Sequence, residues 1–419
     1  MKRGVLLPQD RFLLAAAAPD AISSEELAEL ATDDSVPWAL ALQLAHGNRL
    51  FGPAWALFSS LSLEQRIDKE LTDAWRLAHH ATVLRHAAAR NQASRLFAAF
   101  ADAGVGLLLY KGLDFSLRYY PENSPRTFAD IDIIVRRPEI ERADAALRAA
   151  GYELQRGGMP LAYYERFHLH AIYRHPDWPF PVELHWALDS PYADAHDTLE
   201  SIFDSAVTNP ELGPHVMRPS TLDALALMAT HLRKHLMLAA ELPTREARLK
   251  AVLDSGGLVW VLDIVLWMQR EGGGYRAEPV QRRMRELDAE QSLATSLRLA
   301  RDLHPQAVPA WAGALAARSS AKASLPCRVV YPDLSAGRGV TGAGERIRSL
   351  LLSPVPVLVF RPVKILEAIA ASSDAQRSWW ERTIRLLRIA RLGAANLLWI
   401  ARWRIRRAPR NHQSSSRRG

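Results

Sequence analysis

The sequence is poor in cysteine. Cys327 is its one cysteine among 419 residues, which excludes an internal disulfide framework. A chain without disulfides suits a reducing compartment, so we expect a cytoplasmic protein.

Long hydrophobic runs are also missing. The chain has no stretch of about 20 uncharged apolar residues, the length a membrane-spanning helix requires. The apolar run near its start is too short for a secretory signal. Its 48% hydrophobic and 23% charged residues are those of an ordinary globular protein. We therefore expect no transmembrane helix and a chain of two or three domains.

A net positive charge is missing outside one segment. The net charge is +8, but residues 377–419 hold twelve arginines and a single acid, Glu381. The basic character therefore belongs to a tail and does not predict a nucleic-acid-binding core. Between Trp379 and Arg407, aromatic, aliphatic and arginine residues alternate with helical spacing. This pattern predicts a basic amphipathic helix, of the type that lies on an anionic membrane surface or binds an acidic partner.

Two carboxylates stand two residues apart in an apolar, β-branched run. In the segment Phe128-Ala-Asp130-Ile-Asp132-Ile-Ile-Val135, strand periodicity places Asp130 and Asp132 on the same face. Neighbouring negative charges repel one another, and a divalent cation relieves the repulsion. Mg²⁺ binds a few carboxylates together with substrate phosphates. The pair is therefore typical of a metal site for phosphoryl chemistry.

A strand, a glycine and a helix precede this pair. Val105–Tyr110 is β-like, Lys111 and Gly112 follow directly, and residues 113–120 have a helical pattern that ends at a proline. A helix that begins at such a turn presents backbone N–H groups to an anion. Lys111 adds a full positive charge, and Arg126 adds a donor suited to phosphate. We therefore predict nucleotide binding by Lys111, Gly112 and Arg126.

A third carboxylate is expected for two-metal chemistry, and Glu183 is the best candidate. It lies in an alternating strand, Val182–Trp186, where Glu183 and His185 share one face. If this strand pairs beside the one that carries Asp130 and Asp132, the three carboxylates converge. The sequence alone does not give that pairing.

The order of these motifs resembles a known group. Lys-Gly, a helix ending in Tyr-Pro, an arginine, Asp-Ile-Asp-Ile-Ile-Val, a helix closing at Ala-Gly-Tyr and Val-Glu-Leu-His-Trp follow one another over residues 85–270. This arrangement is similar to the bacterial nucleotidyltransferase family proteins, which belong to the DNA polymerase β-like nucleotidyltransferase superfamily. Two departures are a leucine after Gly112, where Ser or Gly is usual, and Glu183 in place of the commoner aspartate.

The resemblance implies a reaction and its cofactors. Two Mg²⁺ ions, for which Mn²⁺ can substitute, would promote transfer of a nucleoside monophosphate from a nucleoside triphosphate such as ATP, with release of pyrophosphate. Asp130 and Asp132 would hold the metals, and Glu183 would complete the site and polarise the attacking hydroxyl. Lys111 and Gly112 would face the triphosphate. The acceptor is open: a small molecule, a peptide, a protein side chain or an RNA end.

The fold class that follows is α+β, with a small mixed β-sheet core embedded between helical N-terminal and C-terminal regions. The expected domains are a helical lead-in (1–100), the nucleotidyltransferase α/β core (101–210), a helical domain that completes the cleft (211–316), a linker (317–345) and an apolar, then Arg-rich amphipathic tail (346–419). The main predicted helices cover residues 73–100, 113–120, 138–150, 222–235 and 258–270. The predicted strands lie at 105–110, 130–135, 152–154, 169–173 and 182–186.

Four further residues are candidates for the cleft: His185, His231, His235 and Asp263. The two histidines at positions 231 and 235 are one helical turn apart, which is metal-ligand spacing. They lack the glutamate of a zinc protease, so cleft lining or simple packing is the better interpretation. The histidines at 168, 170, 175 and 185 are scattered over different strands, and we do not expect them to bind zinc.

Two alternatives remain open. One is a catalytically inactive protein that binds a nucleotide or a partner. The other is a membrane-surface scaffold that acts through residues 377–419, which would place the protein peripherally at the membrane.

Overall fold

The computed structural model describes residues 6–155, 159–188, 196–209, 211–213 and 215–318. The expected tail, and the expected linker from residue 319 onward, lie outside these residues.

Helices account for most of the described chain. They are α1 (Pro8–Ala17), α2 (Ser24–Thr32), α3 (Trp38–Gly47), α4 (Phe51–Ser60), α5 (Lys69–Asp102), α6 (Gly112–Tyr119), α7 (Ile140–Ala149), α8 (Leu161–Phe167), α9 (His196–Asp204), α10 (Thr221–Ala240), α11 (Arg245–Asp254), α12 (Leu258–Arg270), α13 (Ala277–Glu286), α14 (Glu290–Leu303) and α15 (Ala310–Arg318). The strands are β1 (Leu107–Tyr110), β2 (Ile131–Val135), β3 (Glu153–Leu154), β4 (His170–Arg174), β5 (Val182–His185), β6 (Val207–Thr208) and β7 (Met217–Arg218).

The strands form one mixed sheet in the order β3-β4-β5-β2-β1-β7-β6. β1 and β2 are antiparallel, β2 and β5 are parallel, and β4 and β5 are antiparallel. The predicted fold class is therefore confirmed: a small mixed sheet lies among helical regions. The predicted strands and main helices are present, with bounds that differ by a few residues. The domain boundaries stay a prediction.

The two faces of the sheet belong to different hydrophobic cores. Ile131, Ile133 and Val135 of β2 pack with residues from the end of α5 and from α7. Ile134 points the other way, into the core built by the N-terminal helices and α10–α15. Because side chains alternate along a strand, Asp132 also lies on this second face. The alternation therefore directs the carboxylate toward the helical layer.

The helical lead-in is organised around Trp75 of α5. This indole is fully buried and packs against the rings of Phe12, Phe51 and Phe58 at centroid distances of 5.9, 5.5 and 4.9 Å. The three phenylalanines come from α1 and α4, so the tryptophan ties these helices to the long helix that leads into β1.

Within the described residues, no single helix has both the length and the apolar character of a membrane span. The adjacent helices Arg245–Asp254 and Leu258–Arg270 meet these criteria only as a pair, which is bent by 117°.

Trp75→Ala tests this packing. Removing a fully buried indole leaves a large cavity, so we expect the free energy of unfolding to fall by about 3–5 kcal/mol. Urea unfolding followed by circular dichroism measures the change. Leu77→Ala is the matched control, because Leu77 lies two residues along the same helix and is 71% exposed; it should change stability by less than about 0.5 kcal/mol. Equal losses in both variants would contradict the role given to Trp75.

Candidate active site

The site is built on the parallel pairing of β2 with β5. In this register Asp132 lies directly beside Glu183, and Tyr110 of β1 lies beside Asp132 on the other side. The pairing that would bring the carboxylates together is thus present. Cross-strand partners on one face are close enough for their charges to interact. Two acids therefore face the helical layer side by side.

Asp130 adds a third carboxylate just before β2 begins, in a bend of the chain. Burial, together with the negative charges of Asp132 and Glu183, raises its pKa to about 7, and Lys111 and Arg49 only partly offset this effect. The pKa of a carboxyl group rises this far when the group is buried close to other acids. The three predicted carboxylates therefore interact with one another.

Asp132 is buried, and one of its carboxylate oxygens contacts both the Lys111 ammonium and the His185 imidazole. Its Oδ1 lies 3.1 Å from Lys111 Nζ and 2.9 Å from His185 Nε2. Burial alone would favour the neutral acid, but the Lys111 ammonium and the His185 hydrogen bond hold the pKa of Asp132 well below its usual value. This carboxyl group is therefore ionised at neutral pH.

Lys111 has a strained backbone. It precedes α6 with φ 55° and ψ −128°, a conformation that costs a non-glycine residue about 1–3 kcal/mol. Its side chain reaches the acids, with Nζ 3.1 Å from Asp132 Oδ1 and 4.4 Å from the centre of the Tyr110 ring. Gly112 follows because space is short: a Cβ there would come within 2.8 Å of Phe128 Cβ. Gly112 therefore has a steric reason for its identity, whereas Lys111 occupies its position despite an unfavourable backbone conformation.

A row of histidines lies behind the acids. His185 Nε2 is 3.3 Å from Glu183 Oε2, and His170 Nε2 is 4.0 Å from the same oxygen. One ligand atom from each of these three side chains lies within 4.8 Å of the others. His185 is therefore at the site, as the shared strand face predicted. His170 joins it although we expected these histidines to be scattered.

The helical layer contributes aromatic and basic groups. His231 and His235 of α10 contact each other, and His235 stacks on Trp260 with ring centres 4.6 Å apart. The Arg49 guanidinium lies 5.8 Å from the centre of the Trp260 ring. Burial, and then the positive charge of Lys111, lower the pKa of His231 well below its usual value. His231 therefore lies near Lys111 and stays neutral.

Arg126, predicted to bind nucleotide, and Asp263, a candidate for the cleft, are paired with each other in the protein interior. The guanidinium forms a two-pronged, buried ion pair with Asp263, with Nε–Oδ1 at 2.9 Å and Nη2–Oδ2 at 2.8 Å. The Tyr120 hydroxyl donates to the same carboxylate at 2.8 Å. A phosphate contact by Arg126 would require this pair to break, and Asp263 is enclosed and does not line an open surface. The two residues join the loop before β2 to α12.

The donor set fits divalent metal ions. Asp130, Asp132 and Glu183 supply carboxylate oxygens near the start of the central strands β2 and β5, and Lys111 already places a positive charge among them. Hard cations such as Mg²⁺ prefer oxygen ligands of this kind. The arrangement suits chemistry at a phosphate, where metal and lysine charges act together.

Three residues near the site escaped the sequence reasoning. Arg49 comes from the turn after α3 and carries no motif, although its φ of 58° marks a strained backbone. Trp260 reads as an ordinary apolar helix position. His170 had a usable signal, because pairing the two alternating segments as a hairpin sets it directly opposite His185.

The comparisons with known proteins agree with this geometry. Residues 34–305, more than half of the chain, match the model of a family described as uncharacterised nucleotidyltransferase. The match includes the acids, the lysine turn, Arg49 and the helices α10 and α12. No curated protein matches the chain.

Arg126→Met tests the buried ion pair. The substitution leaves the Asp263 carboxylate buried without its guanidinium, so the free energy of unfolding should fall by about 3–5 kcal/mol. The double variant Arg126→Met/Asp263→Leu removes both charges and should recover most of this loss. Urea unfolding of the two single variants and the double variant measures the coupling. Simple addition of the two single losses would show that the groups do not act as a pair.

Asp130→Asn tests the crowding of the carboxylates through pH. The pKa of Asp130 is about 7 in the folded protein, against 3.8 for an ordinary aspartate. The folded state therefore binds this proton more tightly, and its stability relative to the unfolded chain falls as pH rises from about 4 to 7. Asparagine cannot ionise, so the variant should match the wild type near pH 4 and exceed its stability at pH 8. Urea unfolding across this range measures the difference; an advantage independent of pH would contradict the assignment.

Proposed function

The chain belongs to the family of uncharacterised nucleotidyltransferases, and on that basis we propose that it transfers a nucleoside monophosphate from a nucleoside triphosphate to an acceptor hydroxyl in a Mg²⁺-dependent reaction. Family membership supports nucleotidyl transfer in general. The metal requirement and the residue roles below are our proposal.

One observation carries the proposal above the others. Asp132 and Glu183 are direct partners across β2 and β5, and Asp130 stands beside them with a raised pKa. Like charges in this position destabilise a sheet that has no use for them. Three converging carboxylates beside a lysine turn are suited to holding cations against a phosphate chain.

We assign the metals to Asp130, Asp132 and Glu183. When bound, two Mg²⁺ ions supply positive charge to the attacking oxygen and to the oxygens of the phosphate chain. Asp132 is ionised and ready to bind, whereas Asp130 has to give up its proton first. Glu183, whose pKa is lowered, is also ionised.

Lys111 has two successive roles in this proposal. Its ammonium now neutralises Asp132 at 3.1 Å. With a metal ion on Asp132, the ammonium would be free to contact the triphosphate and to stabilise its charge together with the N–H groups at the start of α6. Arg49, whose charge already acts on Asp130, is a second cation on the side of the helical layer. Before metal and nucleotide bind, the Lys111 ammonium therefore supplies the positive charge that balances Asp132.

The reaction balances with these groups alone. The acceptor oxygen attacks the α-phosphorus, a new P–O bond forms, and the bond from that phosphorus to the β-bridging oxygen breaks. Pyrophosphate leaves with the bonding electrons. We assign Glu183 to polarise the attacking hydroxyl and accept its proton, because it lies at the side of Asp132 away from Lys111.

Label transfer tests this function. Purified protein is incubated with Mg²⁺ and each of the four nucleoside triphosphates labelled at the α-phosphate, with and without cell extract. We expect release of pyrophosphate and transfer of label with at least one donor. In the Asp130→Ala/Asp132→Ala variant both signals should fall to the level measured without protein.

A matched control is the Asp33→Ala/Asp34→Ala variant, in which two neighbouring acids outside the site are removed; it should keep full transfer. Circular dichroism confirms that both variants are folded. Transfer that persists without Asp130 and Asp132 would refute the metal assignment. If the wild type shows no transfer and no Mg²⁺-dependent nucleotide binding, the proposed function is refuted.

A further inference from the structure

Two histidines and a carboxylate meet behind the acid row. His170 Nε2 and His185 Nε2 both approach Glu183 Oε2, at 4.0 and 3.3 Å, and the three ligand atoms lie within 4.8 Å of one another. In the proposed transfer reaction His185 acts only through its hydrogen bond to Asp132, and His170 has no role. The cluster therefore calls for an explanation of its own.

The sheet itself builds this cluster. β4 and β5 are antiparallel, and their register places His170 directly opposite His185. Glu183 lies two residues before His185 and so shares its face. All three side chains stand on regular strands, which fix their positions more firmly than loops do.

The spacing suits one metal ion. Metal–nitrogen bonds of about 2.0–2.1 Å in a tetrahedral site separate the ligand atoms by roughly 3.4 Å. The distances from Glu183 Oε2 to His185 Nε2, 3.3 Å, and to His170 Nε2, 4.0 Å, are close to that value. Binding an ion would also require His185 Nε2 to give up its 2.9 Å hydrogen bond to Asp132 Oδ1, an exchange that small side-chain rotations allow.

His170 also lacks good hydrogen bonds among the described residues. Its Nδ1 is buried without a partner, and its Nε2 is too far from Glu183 for a hydrogen bond. A largely covered imidazole usually has at least one partner. An ion on Nε2 would replace the interaction that the ring does not make with protein.

The chemistry of the donors selects the kind of ion. Mg²⁺ prefers oxygen ligands, whereas two imidazoles and one carboxylate suit Mn²⁺, Fe²⁺, Co²⁺ or Zn²⁺. We propose that His170, Glu183 and His185 bind one divalent transition-metal ion next to the acids Asp130 and Asp132. The inference rests on the proposed function only where it makes this ion a neighbour of the catalytic metals; the binding site itself stands on the three side chains.

Glu183 would then contact both the transition-metal ion and the metal site at Asp132. It is the partner of Asp132 in the sheet and a ligand shared with the two histidines. A carboxylate with two oxygens can serve both neighbours. The protein would therefore hold a mixed pair of ions, one in an all-oxygen setting and one with nitrogen ligands.

Cobalt is the probe for this site, because Co²⁺ occupies zinc-type sites and its visible absorption reports nitrogen ligands and coordination number. Untagged full-length protein is freed of metal with a chelator and titrated with Co²⁺ in excess Mg²⁺, without nucleotide. We expect one Co²⁺ per chain with intense visible bands that Mg²⁺ does not remove. His170→Ala and His170→Gln should weaken this binding by more than about tenfold.

Two variants serve as controls. His175→Ala removes a histidine just beyond β4 that packs on Tyr152, and it should bind Co²⁺ as the wild type does. Asp130→Asn should keep the Co²⁺ bands and lose nucleotidyl transfer, which separates this inference from the proposed function. No stoichiometric Co²⁺ binding, displacement by Mg²⁺, or unchanged binding in folded His170 variants would overturn the proposal.

Discussion

The parallel pairing of β2 with β5 places two negative charges next to each other, and several surrounding groups compensate for their repulsion. Asp132 is stabilised by an ammonium and an imidazole on one oxygen. Asp130 keeps its proton until near neutral pH, which limits the negative charge at the site. Lys111 contributes its positive charge from a backbone conformation that few lysines adopt. Each of these features lowers the electrostatic cost of holding acids side by side in the sheet.

The site depends on both layers around the sheet. The acids and the lysine turn belong to the strands and their ends. On the second face, His231 and Trp260 come from α10 and α12, and Arg49 comes from the turn after α3. The buried pair of Arg126 with Asp263 connects the loop before β2 to α12 and thereby fixes one layer against the other. Such pairs add specificity of arrangement more readily than net stability. The ion pair can thus matter for the site without touching a substrate.

Local patterns predicted the sheet and the acids, whereas contacts between distant segments were hidden. Period-two alternation identified the strands of Asp132 and Glu183, and a proline and a glycine marked the ends of the helices. The partner of Arg126 was not predictable, because an arginine beside a phosphate motif and an arginine in a buried ion pair look alike in sequence. His170 was placed apart from His185 for a different reason: the two alternating segments were not paired as a hairpin, although that pairing sets the two histidines opposite each other.

The ion pair between Arg126 and Asp263 also has a consequence for synthesis. Its partners are 137 residues apart, and a ribosome that adds 5–20 residues per second needs roughly 7–27 s to cover that distance. All seven strands of the sheet are made before Asp263, yet until then Arg126 has no carboxylate to bind. A nascent chain therefore carries its acids well before it can form the ion pair that joins the loop before β2 to α12.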